Sequence, residues 1–456
     1  MKSFYLFLQE HIKEVISGLK GPNSFVRNVA YNLSGNTIVL AIGFLLTPFI
    51  AKIYGPDAYG SFAIFTAICS LVIPFSTLQL QAGYVAASNK NEFYALVRIS
   101  FIALFIVTIL SGLTVLVYKN IFDNNLDNMY LTIPIYIFFS GLFIIFRGWN
   151  IKLQEFKKSA KARVLATIVG KSGTLSFGLF YLQDALGIII GSVLAFITES
   201  IGLMSKRLLF EAKRTLSQPI KLHELRSTLI KFKQYPTYVA FNSIINNIST
   251  QLPIYFIASE FTKDEVGLFS LSLSLILIPL NLTGTSIGAV FLPKIAALVN
   301  DKEKRNNNIL GLYNKLFYPG LIGLILLAIV LGLFLTLLLG NEWSGASYLS
   351  SFMAISFAFA VVSIPLSVVF RLINFEKSNL NLTLIFIVLK IAGLIIGGLL
   401  NNFNLAVFIY FFISLLHNAF QVIILFNKLN IKIWPIIRDL GLVILLYIST
   451  YILINQ

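Results

Sequence analysis

Thirteen times along its 456 residues the chain runs apolar for about twenty residues, the length a helix needs to cross some 30 Å of hydrocarbon. The stretches lie near 30–53, 59–83, 96–118, 130–147, 164–183, 185–205, 236–258, 266–291, 314–340, 346–370, 380–400, 404–427 and 435–454. Fifty-seven per cent of the residues are hydrophobic and 12% charged, about half the charge of an ordinary soluble protein. A soluble core of this length cannot hide that much apolar surface, so lipid is the solvent for most of the chain. Soluble enzymes, disordered chains and secreted disulfide scaffolds are excluded. Period-two alternation is absent, which excludes a transmembrane β-barrel. The expected fold is an all-α polytopic membrane protein. Cys69 is the single cysteine, so neither a disulfide nor a cysteine-based metal site is expected, and no cofactor motif is present.

Assigning the connecting segments alternately to two sides separates the charges. Thirty of the 35 Lys and Arg fall on the side of the N-terminus, against Lys52, Lys119 and Lys263 on the other. Lys171 and Lys390 lie inside spans. The second side holds the acids Asp57, Asp123, Asp127, Asp184, Glu260, Asp264, Glu265 and Glu342. By the positive-inside rule the N-terminus is cytoplasmic, and the net charge of +16 reports topology rather than a nucleic-acid partner. Residues 1–24 place Phe4, Leu8, Val15 and Leu19 among lysines at helical spacing, the pattern of an interfacial amphipathic helix.

The spans form two sixes that resemble each other. Val29-Ala30-Tyr31-Asn32 with Asn36 returns as Val239-Ala240-Phe241-Asn242 with Asn246, and Asp57-x-x-Gly60-x-Phe62 as Asp264-x-x-Gly267-x-Phe269. Phe146-Arg147 matches Phe370-Arg371, Lys171 matches Lys390, and Glu199 matches His417. The offsets are 210, 207, 224, 219 and 218, one duplication with loop drift. An even number of spans per half makes the repeat parallel, with its axis along the membrane normal, a transporter architecture. The expected parts are therefore helix 1–24, a six-helix bundle over 25–205, a basic cytoplasmic linker over 206–235, a second bundle over 236–427, and an extra C-terminal span over 428–456.

Specific motifs go further. Val266-Gly267-Leu268-Phe269 through Ile278-Pro279-Leu280, then Ser286-Ile287-Gly288-Ala289-Val290-Phe291-Leu292-Pro293, is similar to the eighth-helix signature of Wzx-type polysaccharide flippases. These belong to the multidrug/oligosaccharidyl-lipid/polysaccharide exporter superfamily. Asn32-Leu33-Ser34-Gly35, Pro48 and Tyr54-Gly55-Pro56-Asp57-Ala58-Tyr59-Gly60 resemble their first hairpin, and Trp149, Lys152, Phe156 and Lys157 the segment after the fourth helix. The resemblance covers about residues 25–430. Twelve or fourteen helices are usual there, whereas this chain offers thirteen. What the resemblance implies is translocation of an undecaprenyl-diphosphate-linked oligosaccharide from the cytoplasmic to the outer leaflet of a bacterial plasma membrane. It also implies work beside a polysaccharide polymerase and a chain-length regulator.

Ionisable groups inside spans are costly and mark sites by default. Lys171 and Glu199 both lie roughly 10–12 Å in from the cytoplasmic side and are placed to pair, either as a structural ion pair or in transport. Lys390 lies near the midplane, about 20 Å beyond Lys377, and His417 at similar depth. A diphosphate needs cations to replace its water, which nominates Lys171 and Lys390, with Arg147, Arg371 and Arg98 at the cytoplasmic mouth. Snorkelling anchors are the plain reading of those three arginines. Asn32, Asn36, Asn242, Asn246, Asn247 and Gln251 could meet sugar hydroxyls or glue helices together. Glu199 and His417 are the candidates for proton coupling, with sodium held by amides and carbonyls as the alternative. Gly170-Lys171-Ser172 is no P-loop, because Leu165 stands where its first glycine belongs.

Two other functions compete. A drug or cation antiporter of the same superfamily would want an acidic or aromatic pocket rather than intramembrane lysines. A membrane-embedded polymerase or ligase needs acid–base groups on sizeable outer loops, yet the expected outer loops run to about a dozen residues and hold no His or Arg.

Overall fold

The computed structural model describes residues 25–181, 183–217, 222–298, 301–373 and 375–454. The side chains of 25–34 and of isolated helical positions, Arg371 among them, are not part of that description. The helix expected over 1–24 lies outside the described residues. Among those residues there is no strand.

Fifteen α-helices follow in order among the described residues: α1 Phe25–Ser76, α2 Lys90–Ile121, α3 Ile133–Leu153, α4 Phe156–Phe180, α5 Ala185–Leu203, α6 Lys206–Ser217, α7 Leu222–Lys231 and α8 Ala240–Glu260. Then come α9 Lys263–Ala297, α10 Lys302–Leu339, α11 Ser344–Ser356, α12 Ala360–Leu372, α13 Glu376–Leu399, α14 Phe403–Lys428 and α15 Trp434–Ile454. Nine of the described helices are long and apolar enough to cross a membrane, or ten if the bent pair α11/α12 is one span. The difference from thirteen has identifiable sources. α1 joins two expected spans across Gly55, whose φ of 72° breaks the helix, because only glycine takes that conformation without strain. α4 is diluted by Lys157, Lys158, Lys161, Arg163 and Lys171, and α8 by Asn242, Asn246, Asn247 and Gln251. The expected span 346–370 is broken at 357–359 by a 54° bend, and Ala358 and Phe359 there are fully buried. Burial within protein is what lets irregular backbone persist at membrane depth.

Outward-facing residues of the long helices are apolar. Phe105, Ile109, Leu113 and Leu116 stand exposed along α2, as expected where lipid replaces water.

The chain folds as two compact units. Among the described residues the first comprises those within 25–43, 68–181 and 186–247, the second those within 44–67, 183–185 and 248–454. In the first unit, Asn89 caps α2 by accepting from the Glu92 amide at 2.8 Å, and Pro134 occupies the first turn of α3, where its missing N–H costs nothing. Its core gathers Leu80, Tyr84, Phe93, Leu96, Trp149, Leu208 and Phe232. That core includes the basic segment expected as a linker. Lys206–Ser217 and Leu222–Lys231 within it form α6 and α7, and both are fastened to the bundle. The Trp149 indole donates to Glu211 at 3.3 Å, Arg98 donates to the Thr215 carbonyl at 2.9 Å, and Lys231 pairs with Glu92.

In the second unit, Thr262 and Glu265 form a reciprocal capping box that starts α9. Near that start α9 crosses the second half of α1 at the matched glycines. A Cβ on Gly60 would fall on the Lys263 carbonyl oxygen, and one on Gly267 on the Pro56 carbonyl oxygen. Only glycine permits backbones to meet so closely. The core centres on Phe269, Trp343, Phe352, Phe359, Phe411, Phe426 and Tyr447.

α15 is an integral part of that core. Ile436, Val443 and Tyr447 are fully buried, and the Tyr447 hydroxyl donates to the Phe408 carbonyl at 2.7 Å. Asp439, 1% exposed, accepts from the hydroxyls of Tyr313 at 2.8 Å and Tyr318 at 2.7 Å on α10. Arg438 bridges to both Asp439 and Tyr318. Asp439→Ala leaves the Tyr313 hydroxyl buried without its acceptor and removes both tyrosine hydrogen bonds to the carboxylate together with those from Arg438, so it is expected to destabilise the second unit by about 3 kcal/mol. Thermal unfolding in detergent, compared with Arg438→Ala at the exposed end of the network, checks this; equal small shifts in both would refute it.

Candidate functional site

Small residues bring α4 and α5 together and thereby set the first charged cluster. A Cβ on Gly170 would meet Ala195 at 2.7 Å, and one on Gly202 would meet Ala162 at 2.8 Å. Close approach beside Ala162 brings the next residue, Arg163, to Glu199, with Arg163 Nε 3.7 Å from Glu199 Oε1. The two side chains are 13% and 11% exposed. Arg163 also donates to the Asn36 amide oxygen of α1. Arg147 of α3 lies within electrostatic range of both charges, its guanidinium 5.7 Å from the centre of the Phe143 ring. The partner expected for Glu199 was Lys171. Arg163 holds that place instead, because eight residues of α4 separate the two cations by about 12 Å along the axis. Lys171 is half-buried farther along α4, and no carboxylate among the described residues pairs with it.

The second unit holds the matched positions together. Lys390 of α13 and His417 of α14 lie within electrostatic range of each other. The Lys390 Nζ sits 5.5 Å from the centre of the Tyr410 ring, a cation–π placement that compensates part of the lost hydration. The His417 ring stacks on Phe386 with centroids 5.1 Å apart, and its Nε2 is 3.4 Å from the Thr383 hydroxyl. α13 and α14 are drawn together in the same way as α4 and α5, with Gly397 against the Ala406 backbone.

The remaining candidates separate. Arg98 is occupied with the Thr215 carbonyl, which ties α6 to α2. Asn242 and Asn246 lie on exposed positions of α8, whereas the Asn247 amide donates to the Ser70 carbonyl at 2.6 Å. The side chains of Asn32 and Arg371 lie outside the described residues. Arg163 and Asp439 were not singled out by sequence reasoning. In the sequence Arg163 counts only among the basic residues on the side of the N-terminus, and Asp439 stands beside Arg438 at the start of a span.

Chemically, the first cluster sets two guanidinium groups against one carboxylate, with an amide attached. Such a surplus of largely buried positive charge suits an anion rather than a cation. Among the described residues no group of three or more His, Cys, Asp or Glu is placed to hold a metal ion.

Solved structures with this arrangement of helices are transporters. The chain superimposes on the inward-facing conformation of a multidrug resistance MATE family transporter of the MOP superfamily with a TM-score of 0.51 at 15% identity, covering 93% of this chain and 98% of that one. It superimposes on the outward-facing conformation of such a transporter with a TM-score of 0.50, again at 15% identity, covering 90% and 96%. The chain shares the all-helical fold of these proteins. A curated relative, the capsular polysaccharide biosynthesis protein CapF of Staphylococcus aureus, is 24% identical over 384 residues, 81% of this chain and 92% of that protein. The family model described as polysaccharide biosynthesis protein matches residues 33–348, and the chain belongs to that family.

Proposed function

We propose that the chain flips an undecaprenyl-diphosphate-linked oligosaccharide from the cytoplasmic to the outer leaflet of a bacterial plasma membrane, for the assembly of a cell-surface polysaccharide. The observation that carries this reading is the charge cluster inside the first unit, where Arg147 and Arg163 share the carboxylate of Glu199 and Lys171, farther along α4, adds a further cation. A diphosphate brings at least two negative charges that cannot cross hydrocarbon bare. Buried cations supply charge-assisted hydrogen bonds in place of its water. Family membership supports a saccharide cargo, and the transporter fold supports alternating access between two bundles. In this reading Arg147 and Arg371 receive the headgroup at the cytoplasmic mouth, Lys171 and Lys390 carry it inward, and the amides of Asn36, Asn242 and Asn246 meet sugar. Asn32 would join them, and Arg98 would steer the headgroup while holding α6. Glu199 and His417 are the groups that would exchange a coupling proton. The transporter is non-enzymatic, with its N-terminus in the cytoplasm, and it hands its product to a polymerase and chain-length regulator.

Reconstitution into liposomes with a leaflet-resolved assay tests this. Wild type should move a lipid-diphosphate oligosaccharide across the bilayer, and Lys390→Ala should slow that movement at least tenfold, with a quaternary-ammonium dye left behind. Dye movement without glycolipid movement would replace the flippase by a drug antiporter. Glycolipid movement indifferent to Lys390→Ala would keep the function and remove Lys390 from the site.

A further inference from the structure

Between α1 and α4, within the first unit, lies an open groove of about 360 Å³. Its floor is set where Gly35 touches Ala160, since a Cβ on Gly35 would stand 2.8 Å from that methyl. One end carries Lys157 and Lys161, and the rest is walled by Ile38, Leu165 and Ile168. Lys157 and Lys161 sit one helical turn apart on one face of α4, and Leu165 and Ile168 continue that face for roughly 16 Å from Lys157. The groove therefore has a basic head and an apolar tail, laid along the axis of α4. Leu165 is 51% and Ile168 45% exposed, so the apolar end opens sideways rather than into the bundle. Asn36 and Arg163, hydrogen-bonded to each other, stand beside Gly35 and Lys161 on the same two helices. The basic head is thus adjacent to the charged cluster.

We propose that this groove docks the lipid anchor of the cargo, with the diphosphate between Lys157 and Lys161 and the first isoprenoid units along Ile38, Leu165 and Ile168. Two cations one turn apart match two linked phosphates. A lane walled by only two helices accommodates one chain, which favours a polyprenyl diphosphate over a two-chain phospholipid. The inference rests on the proposed flippase function and supplies its lateral entry, passing the headgroup to Arg163 without leaving the membrane.

The test is photolabelling of the full chain in phosphatidylcholine nanodiscs, with undecaprenyl diphosphate bearing a photoreactive isoprenoid and no sugar. Label should map to α1 and α4, and should fall at least fivefold in Lys157→Gln/Lys161→Gln and in Leu165→Trp, which fills an exposed part of the groove without touching the core. Unlabelled undecaprenyl diphosphate should compete, and phosphatidylglycerol at the same concentration should not. Label elsewhere, label unchanged in both variants, or equal competition by phosphatidylglycerol would each overturn the proposal. Glycolipid flipping by wild type is measured separately. If it proceeds while labelling ignores the groove, the entry site falls and the function stands. If wild type moves no glycolipid, the function falls, while labelling still decides the groove.

Discussion

Glu199→Gln is expected to destabilise the first unit by about 3–5 kcal/mol, the cost of leaving a buried charge without its partner. Glu199 stands 3.7 Å from Arg163 and in the field of Arg147, so neutralising it leaves two like charges facing each other away from water. Arg163→Gln should cost less than Glu199→Gln, because Glu199 retains Arg147 within range. The double variant Arg163→Gln/Glu199→Gln should recover much of the loss, since two neutral amides of similar shape need no counter-charge. Thermal unfolding of the four proteins in one detergent closes the double-mutant cycle. A coupling below about 0.5 kcal/mol would mean that each charge is solvated independently. The liposome assay separates fold from function, because the double variant should be folded yet slow in moving glycolipid if Arg163 handles the headgroup.

Gly267→Ala should be a severely damaging methyl addition. Its Cβ would fall on the Pro56 carbonyl oxygen, and backbone cannot rotate away as a side chain can. The crossing must open or one helix must bend, at about 3 kcal/mol or more. Gly60→Ala should behave alike, because its Cβ meets the Lys263 carbonyl. Gly311 and Gly323 on α10 supply the control, since a Cβ on either meets nothing within 4 Å. Alanine there should be neutral or stabilising by up to about 1 kcal/mol through helix propensity. Equal effects at all four positions, read by unfolding in detergent, would refute the backbone crossing.

Much of this was legible in the sequence, for physical reasons. Apolar runs of membrane length and the loop charges need no tertiary context, so the all-helical membrane fold followed directly. The pairing of Glu199 was less legible. Depth along a helix can be counted from residues, but which neighbour faces Glu199 depends on helix rotation, and that is set by contacts such as Gly202 against Ala162. The break at 357–359 left no trace, since Phe357, Ala358 and Phe359 carry neither proline nor glycine and extend an apolar run. The folding of α6 and α7 onto the bundle was hidden by their charge. Buried Leu208 and Phe232 are the residues that tie them down, while the lysines and arginines around them read as a basic cytoplasmic linker. Asp439 was masked by its neighbour Arg438, because a charge pair at a span end reads as an interfacial anchor until the tyrosines of α10 are seen to close on it.

The crossing at Gly60 and Gly267 has a consequence for how such a chain could arise. The contact is reciprocal. Gly60 approaches the carbonyl of Lys263, Gly267 approaches that of Pro56, and both members of each pair differ in number by 207. Each copy of the motif therefore presents to the other the same surface that it receives, which is the signature of an isologous interface between identical subunits. A protein half this long, carrying one copy, would already own a self-complementary face. Two such molecules could have met there as a homodimer, and gene fusion would then have joined a partnership that the glycines had made possible.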